Sequence, residues 1–143
     1  MMVSTKGRYA LRVMIDLAEH AGSAYIPLKD IAARQELSEK YLESIIAILV
    51  RNGMLDALRG KGGGYRLNRP ASDYTVGEIL RLTEGTLAPV ACLEEGARPC
   101  ARTAECRTFP MWRELDELIA GFLDSHTLAD LATPELAGND YVI

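Results

Sequence analysis

Apolar residues recur at helical spacing along several stretches of this chain and alternate with polar ones in two others. In "STKGRYALRVMIDLAEHAG" Ala10, Val13, Met14 and Leu17 share a helix face, Ser4 and Thr5 offer capping hydroxyls, and Gly22 marks an end. After an extended "AYIP", Leu28, Ile31 and Ala32 predict a short helix that opens behind Pro27 and ends near Leu37. Ser38 then caps "EKYLESIIAILVRNG", with an apolar stripe of Leu42, Ile45, Ile46 and Leu49 and a stop at Gly53. "MLDAL" and "GYRLN" alternate instead, the pattern of two short strands joined by a turn. Thr75 and Glu78 predict a capping box for a helix bearing Val76, Ile79, Leu80 and Leu82. From Gly85 to Thr108 no period is present, and the stretch is long for a connection in a compact domain. A last long helix, "PMWRELDELIAGFLDSH", carries Met111, Trp112, Leu115, Leu118, Ile119, Phe122 and Leu123, a wide apolar face. Thr127 caps a short "LADLA" before Pro134 and a polar tail.

A short helix, a tight connection, a second helix with a polar outer face and then a hairpin describe a winged helix-turn-helix. The expected fold is mainly α with a small β-hairpin wing, plus a long C-terminal dimerisation helix. It divides into a DNA-binding domain at 1–84, a cysteine-bearing loop at 85–108, and the dimerisation helix and tail at 109–143. Trp112, Leu115, Ile119 and Phe122 follow the alternating three-four spacing of a helix seam and are the expected dimer interface.

Composition narrows the class. With 143 residues, nearly half apolar and a quarter charged, the chain is about one ordinary domain. No apolar run approaches the length of a membrane span. Asp16 and Glu19 interrupt the N-terminus where a signal peptide would be apolar, which points to a cytoplasmic protein without membrane contact. The net charge of −4 hides an asymmetry: residues 1–69 hold eleven Lys and Arg against seven Asp and Glu, residues 70–143 five against thirteen. A basic first half suits a polyanionic partner.

The stretch "RGKGGGYRL" combines glycine freedom with three cations. A nucleotide-binding loop would need a helix behind it and Ser or Thr after its lysine, whereas Lys61 precedes Gly62 and a strand pattern. The stretch is a basic hairpin tip instead. Arg59, Lys61 and Arg66 supply charge, and Gly62 and Gly63 allow close approach to a sugar-phosphate backbone. The helix after Ser38 would enter the major groove of duplex DNA with Ser38, Lys40, Tyr41, Glu43 and Ser44. The cysteines Cys92, Cys100 and Cys106 all fall in the aperiodic loop, with Arg98, Arg102 and Arg107 among them. Such clustering favours a metal or redox role over a disulfide framework or scattered core cysteines. A structural zinc site would lack a close fourth ligand. An enzyme is disfavoured: His20 and His126 sit in or at the ends of amphipathic helices, with no paired acid and base near the glycines.

With "STKGRYALRVMIDLA", "PLKDIAARQELSEKYLESIIAILVRNGML", "RGKGGGYRL", "VGEILRLTEG" and "MWRELDELIAGFLDSHTLADL" in order, the chain resembles the IscR, NsrR and CymR regulators, the family called Rrf-two. The resemblance implies a homodimeric transcription regulator, a repressor, bound to a palindromic operator through Glu43 and Arg59 among others. It also implies an iron-sulfur cluster, of 2Fe-2S type, on Cys92, Cys100 and Cys106. Two departures stand out: the first gap between cysteines holds seven residues and the second five, where cluster-binding members place five in each. Phe109 occupies the position of a ligating histidine in the cluster-assembly branch. Regulation of sulfur metabolism without a cluster, switched by a partner protein, a small ligand or thiol oxidation, stays open beside it.

Overall fold

The computed structural model describes residues 3–22, 24–98 and 100–132; the polar tail expected after Pro134 lies outside them. In chain order come α1 (Thr5–Glu19), α2 (Leu28–Gln35), α3 (Glu39–Arg51), β1 (Leu55–Leu58), β2 (Gly64–Leu67), α4 (Val76–Glu84), α5 (Phe109–Asp124) and α6 (Leu128–Leu131). One-turn 3₁₀ segments occupy Ala71–Asp73 and Ala91–Leu93. The fold is the expected one: mainly helical, with one antiparallel hairpin.

Local chemistry sets most boundaries. The Ser4 hydroxyl accepts from the Gly7 amide, Ser38 from Tyr41 and Thr75 from Glu78, so each satisfies an orphan donor at a helix start. The capping box expected at Thr75 is only half formed, because the Glu78 carboxylate turns to Arg69 at 3.3 Å. A reciprocal box stands at α6, where Thr127 and Asp130 each receive the other's backbone amide.

The main core is built from α1, α2, α3, Tyr74, Ile79 and, from the far end of the chain, Leu128, which is fully buried. Two backbone bonds, Val76 to His126 and Leu128 to Tyr74, draw α6 back to the start of α4. The buried Tyr74 hydroxyl donates to the Met54 carbonyl at 2.8 Å and accepts from the Asn68 amide, fastening the hairpin base to the core. Helices α1 and α4 pack so closely that a β-carbon at Gly7 would run into the Glu84 carboxylate. A second, smaller cluster of Val76, Leu80 and Leu87 receives Ile119 and Leu123 of α5. Arg81 and Asp124 pair bidentately at 2.7 and 2.9 Å across the same junction.

Candidate nucleic-acid interface and cysteine loop

Helix α3 presents Lys40, Glu43 and Ser44 exposed, with Ser38 exposed at its cap. The two serine hydroxyls are engaged locally, Ser44 donating to the Tyr41 carbonyl at 2.6 Å. Tyr41 is half-buried, its ring edge-on to Tyr9 of α1 at 5.8 Å. Lys40 and Glu43 are therefore the long polar arms of the face, and Tyr41 joins it to the body.

In the hairpin, Leu55 pairs with Leu67, Asp56 with Arg66, Ala57 with Tyr65 and Leu58 with Gly64. Ile26, just before α2, adds two backbone bonds to Tyr65 at 2.8 and 2.9 Å, which anchors the wing to the helix-turn-helix. The glycines divide their work. Gly60 and Gly62 turn the tip with φ of 92° and 76° and have open space beside them. A β-carbon at Gly63 would run into the Leu58 carbonyl, and one at Gly64 into the Ile26 carbonyl, so these two serve packing within the protein. Arg59 and Lys61 stand exposed at the tip. Arg66 stacks on Tyr25 at 4.2 Å and reaches Asp56 across the strands at 3.9 Å, so its charge is shared within the wing. Between α3 and the wing lies an open groove of about 650 Å³ whose lining includes Glu43, Arg51, Leu58 and Arg59. Two residues sixteen positions apart in sequence, Glu43 and Arg59, thus line one groove.

The pattern along the chain did not single out Asp16. It is a carboxyl side chain only 2 % exposed, and it accepts from Arg34 at 2.8 and 3.0 Å and from the Gln35 amide at 2.9 Å. The bond to Asp16 raises the Arg34 guanidinium above its ordinary value. An acid lying between Val13 and Leu17 of an apolar stripe was the available signal, but its partners are eighteen and nineteen residues away.

Cys92 and Cys100 are exposed, Cys106 is half-buried, and all three are free thiols. Cys92 sits in the 3₁₀ turn, and Cys100 opens a turn in which Thr103 donates twice to its carbonyl. Cys106 lies just before α5, its Sγ 3.4 Å from the Thr108 hydroxyl. Hydrogen bonding by Thr108, from side chain and backbone, and weaker contributions from the Phe109 amide and Arg102 hold this thiol below its ordinary value. The donors suit a soft metal centre in kind. Their placement does not yet make one: among the described residues no three His, Cys, Asp or Glu side chains converge.

The four seam residues of α5 part company. Ile119 packs inward on the Val76, Leu80 and Leu87 cluster, Trp112 and Leu115 are half-exposed, and Phe122 is 63 % exposed against the His126 ring. Met111 and Leu118, at 52 % and 64 %, extend the exposed apolar ridge. No residue of α5 is buried.

A helix-turn-helix followed by a glycine-tipped basic hairpin defines a winged-helix protein of the DNA-binding class. Residues 3–134 match the model of the Rrf2 family, iron-dependent transcriptional regulators, and the chain belongs to that family. It is 39 % identical over 131 residues to the HTH-type transcriptional regulator IscR of Serratia proteamaculans, covering 92 % of this chain and 79 % of that protein. Among solved structures it resembles CymR, the global cysteine regulator of B. subtilis, with 39 % identity, a TM-score of 0.75, and 92 % and 96 % of the two chains covered. It also resembles T. potens IscR, with 40 % identity, a TM-score of 0.70, and 92 % and 85 % covered. The chain is thus a transcriptional regulator and not an enzyme. No helix among the described residues is long and apolar enough to cross a membrane.

Proposed function

We propose that this regulator acts in the cytoplasm as a homodimeric repressor on a palindromic operator, with its affinity set by the state of Cys92, Cys100 and Cys106. The observation that carries the reading is the groove that Glu43 and Arg59 both line, framed by α3 and the basic wing. Lys40 and Glu43 would read base edges in the major groove, Glu43 accepting from a cytosine amino group. Arg59 would enter the adjacent minor groove, and Lys61 would meet phosphate with the Gly62–Gly63 backbone beside it. Ser38, Tyr41 and Ser44 complete the α3 face, and Arg66 braces the wing through Tyr25. Two copies would join along α5, because the ridge of Met111, Leu118 and Phe122 is uncovered among the described residues. In division of labour, 1–84 binds DNA, 85–108 senses and 109–143 dimerises.

Similarity to IscR supports an iron-sulfur cluster of 2Fe-2S type held by Cys92, Cys100 and Cys106 as thiolates. Such a centre supplies reversible one-electron chemistry that is sensitive to oxidants and iron supply. The chain's own part is to present three deprotonated sulfurs, and the lowered Cys106 thiol is suited to that. Gathering the loop would reset the N-terminal end of α5 and thereby the spacing of two recognition helices. A second reading, thiol oxidation without a cluster, is favoured by the exposed cysteines and by equal similarity to CymR.

Protein isolated without oxygen decides between them. A visible absorption band with bound iron, both lost when any one of the three cysteines becomes Ser, supports the cluster; colourless, iron-free protein whose operator affinity still responds to oxidant supports the thiol switch. Arg59→Ala should cost about 1–3 kcal/mol on the preferred operator. An equal loss on every sequence would make Arg59 a phosphate contact.

A further inference from the structure

Helix α1 carries a polar stripe, Tyr9, Arg12 and Asp16, spaced three and four apart and so on one helix face. Every member of it ends on the helix-turn-helix. Tyr9 meets the Tyr41 ring at the start of α3. Arg12 lies over Tyr9 at 4.9 Å and donates to the Gln35 carbonyl at 2.7 Å and its side-chain oxygen at 3.0 Å. Asp16 takes the bidentate pair from Arg34 and a third bond from Gln35. The contacts close on both sides of the turn at 36–38, the last turn of α2 and the first of α3.

A buried carboxylate is a poor way to stabilise a core, since well-packed apolar residues at such a site do as well or better. What a bidentate guanidinium–carboxylate pair supplies is fixed geometry. The turn it flanks needs fixing from outside, because it passes through Glu36, a non-glycine residue with φ of 55°.

We infer that Tyr9, Arg12 and Asp16 are positioning residues that set the angle at which α3 is offered to DNA and thereby its sequence discrimination. The inference rests on α3 being the DNA-reading helix. A tilt of α3 displaces Lys40 and Glu43 from base edges while the wing keeps its phosphate contacts. The loss therefore falls on specific binding and spares general affinity.

The test uses two duplexes: an operator selected from random-sequence DNA by the unmodified protein, and a scrambled duplex of the same length and composition. If the unmodified protein enriches no sequence, the reading of α3 itself fails, an outcome separate from those below. Asp16→Asn and Arg12→Met are compared with it at two salt concentrations, well below each variant's melting temperature. Operator affinity should fall about tenfold or more, with scrambled-duplex affinity within about threefold and the salt slope unchanged. Equal losses on both duplexes would overturn the inference. So would a shallower salt slope for Arg12→Met, which would make Arg12 a direct phosphate contact. Should Asp16→Asn unfold, Arg12→Met decides alone, since that side chain lies at the surface.

Discussion

Helix α3, 13 residues long, buries Leu42, Ile45, Ile46 and Leu49 to 1 % exposure or less, whereas α5, at 16 residues, buries none of its side chains and leaves Leu118 and Phe122 more than 60 % exposed. Both helices are apolar enough to need a cover. The first finds it inside its own chain, among α1, α2 and α4; the second rests by one edge on α4 and Leu87. The main core is closed within one chain, down to Leu128 of α6, whereas one face of α5 stays open among the described residues. The three cysteines are free and mostly exposed, in a loop held by short turns.

Stability should separate the main core from α5 most sharply. Leu128→Ala opens a cavity in the main core and should cost about 2–5 kcal/mol in urea unfolding. Phe122→Ala removes a larger side chain but should cost under about 0.5 kcal/mol at high dilution, where any association is lost. A large loss for Phe122→Ala that does not depend on protein concentration would show that α5 is covered within the chain.

Charge on the exposed ridge should act on assembly instead. Leu118→Glu with Phe122→Glu should leave the fold intact, give monomers in sedimentation at micromolar concentration, and weaken operator binding by about 100-fold through loss of the second half-site. Ile119→Glu should behave otherwise and lower monomer stability, because Ile119 packs against Val76, Leu80 and Leu87. A persistent dimer in the double variant would remove α5 from the interface.

What could be read from the chain follows the range of the signal. Caps at Ser4, Ser38 and Thr75, the apolar stripes and the two strands are local, and each reappears in place. The even seam of Trp112, Leu115, Ile119 and Phe122 was legible as periodicity, but which side turns inward depends on α4, which no local pattern encodes. The same holds for Asp16, whose partners lie on another helix, and for Glu78, drawn from its expected box by Arg69. The glycine run was legible as a turn. That Gly64 is demanded by the Ile26 carbonyl appears only when a distant segment pairs with the wing.

Beside the main core, Glu36 is the described non-glycine residue that breaks the local backbone rules. Glu36 follows α2 in the left-handed region, where a side chain is disfavoured by about 1–2 kcal/mol. Glu36→Gly relieves that strain and frees the unfolded chain, so the net gain should be about 0.5–1 kcal/mol in urea unfolding. A loss of stability would mean that Glu36 contributes contacts that outweigh the strain.

The smallest effect tests the joint between α4 and α5. Arg81, by hydrogen bonding to Asp124, holds that carboxyl below its ordinary value. A carboxylate with a folded pKa below its unfolded one, about 3.9, binds its proton more readily when unfolded. Its contribution is therefore fully present above that pH and fades as pH falls through the lower folded value. Both partners are more than 40 % exposed, so solvent screening limits the pair to a few tenths of a kcal/mol. The measurement is the stability difference between the unmodified protein and Asp124→Asn, followed by urea unfolding against pH. It should be constant above about pH 5 and close as the pH drops below about 4. A gap that widened in acid would mean that the pair opposes the docking of α5, and the second cluster, with Ile119 and Leu123, would then hold that helix alone.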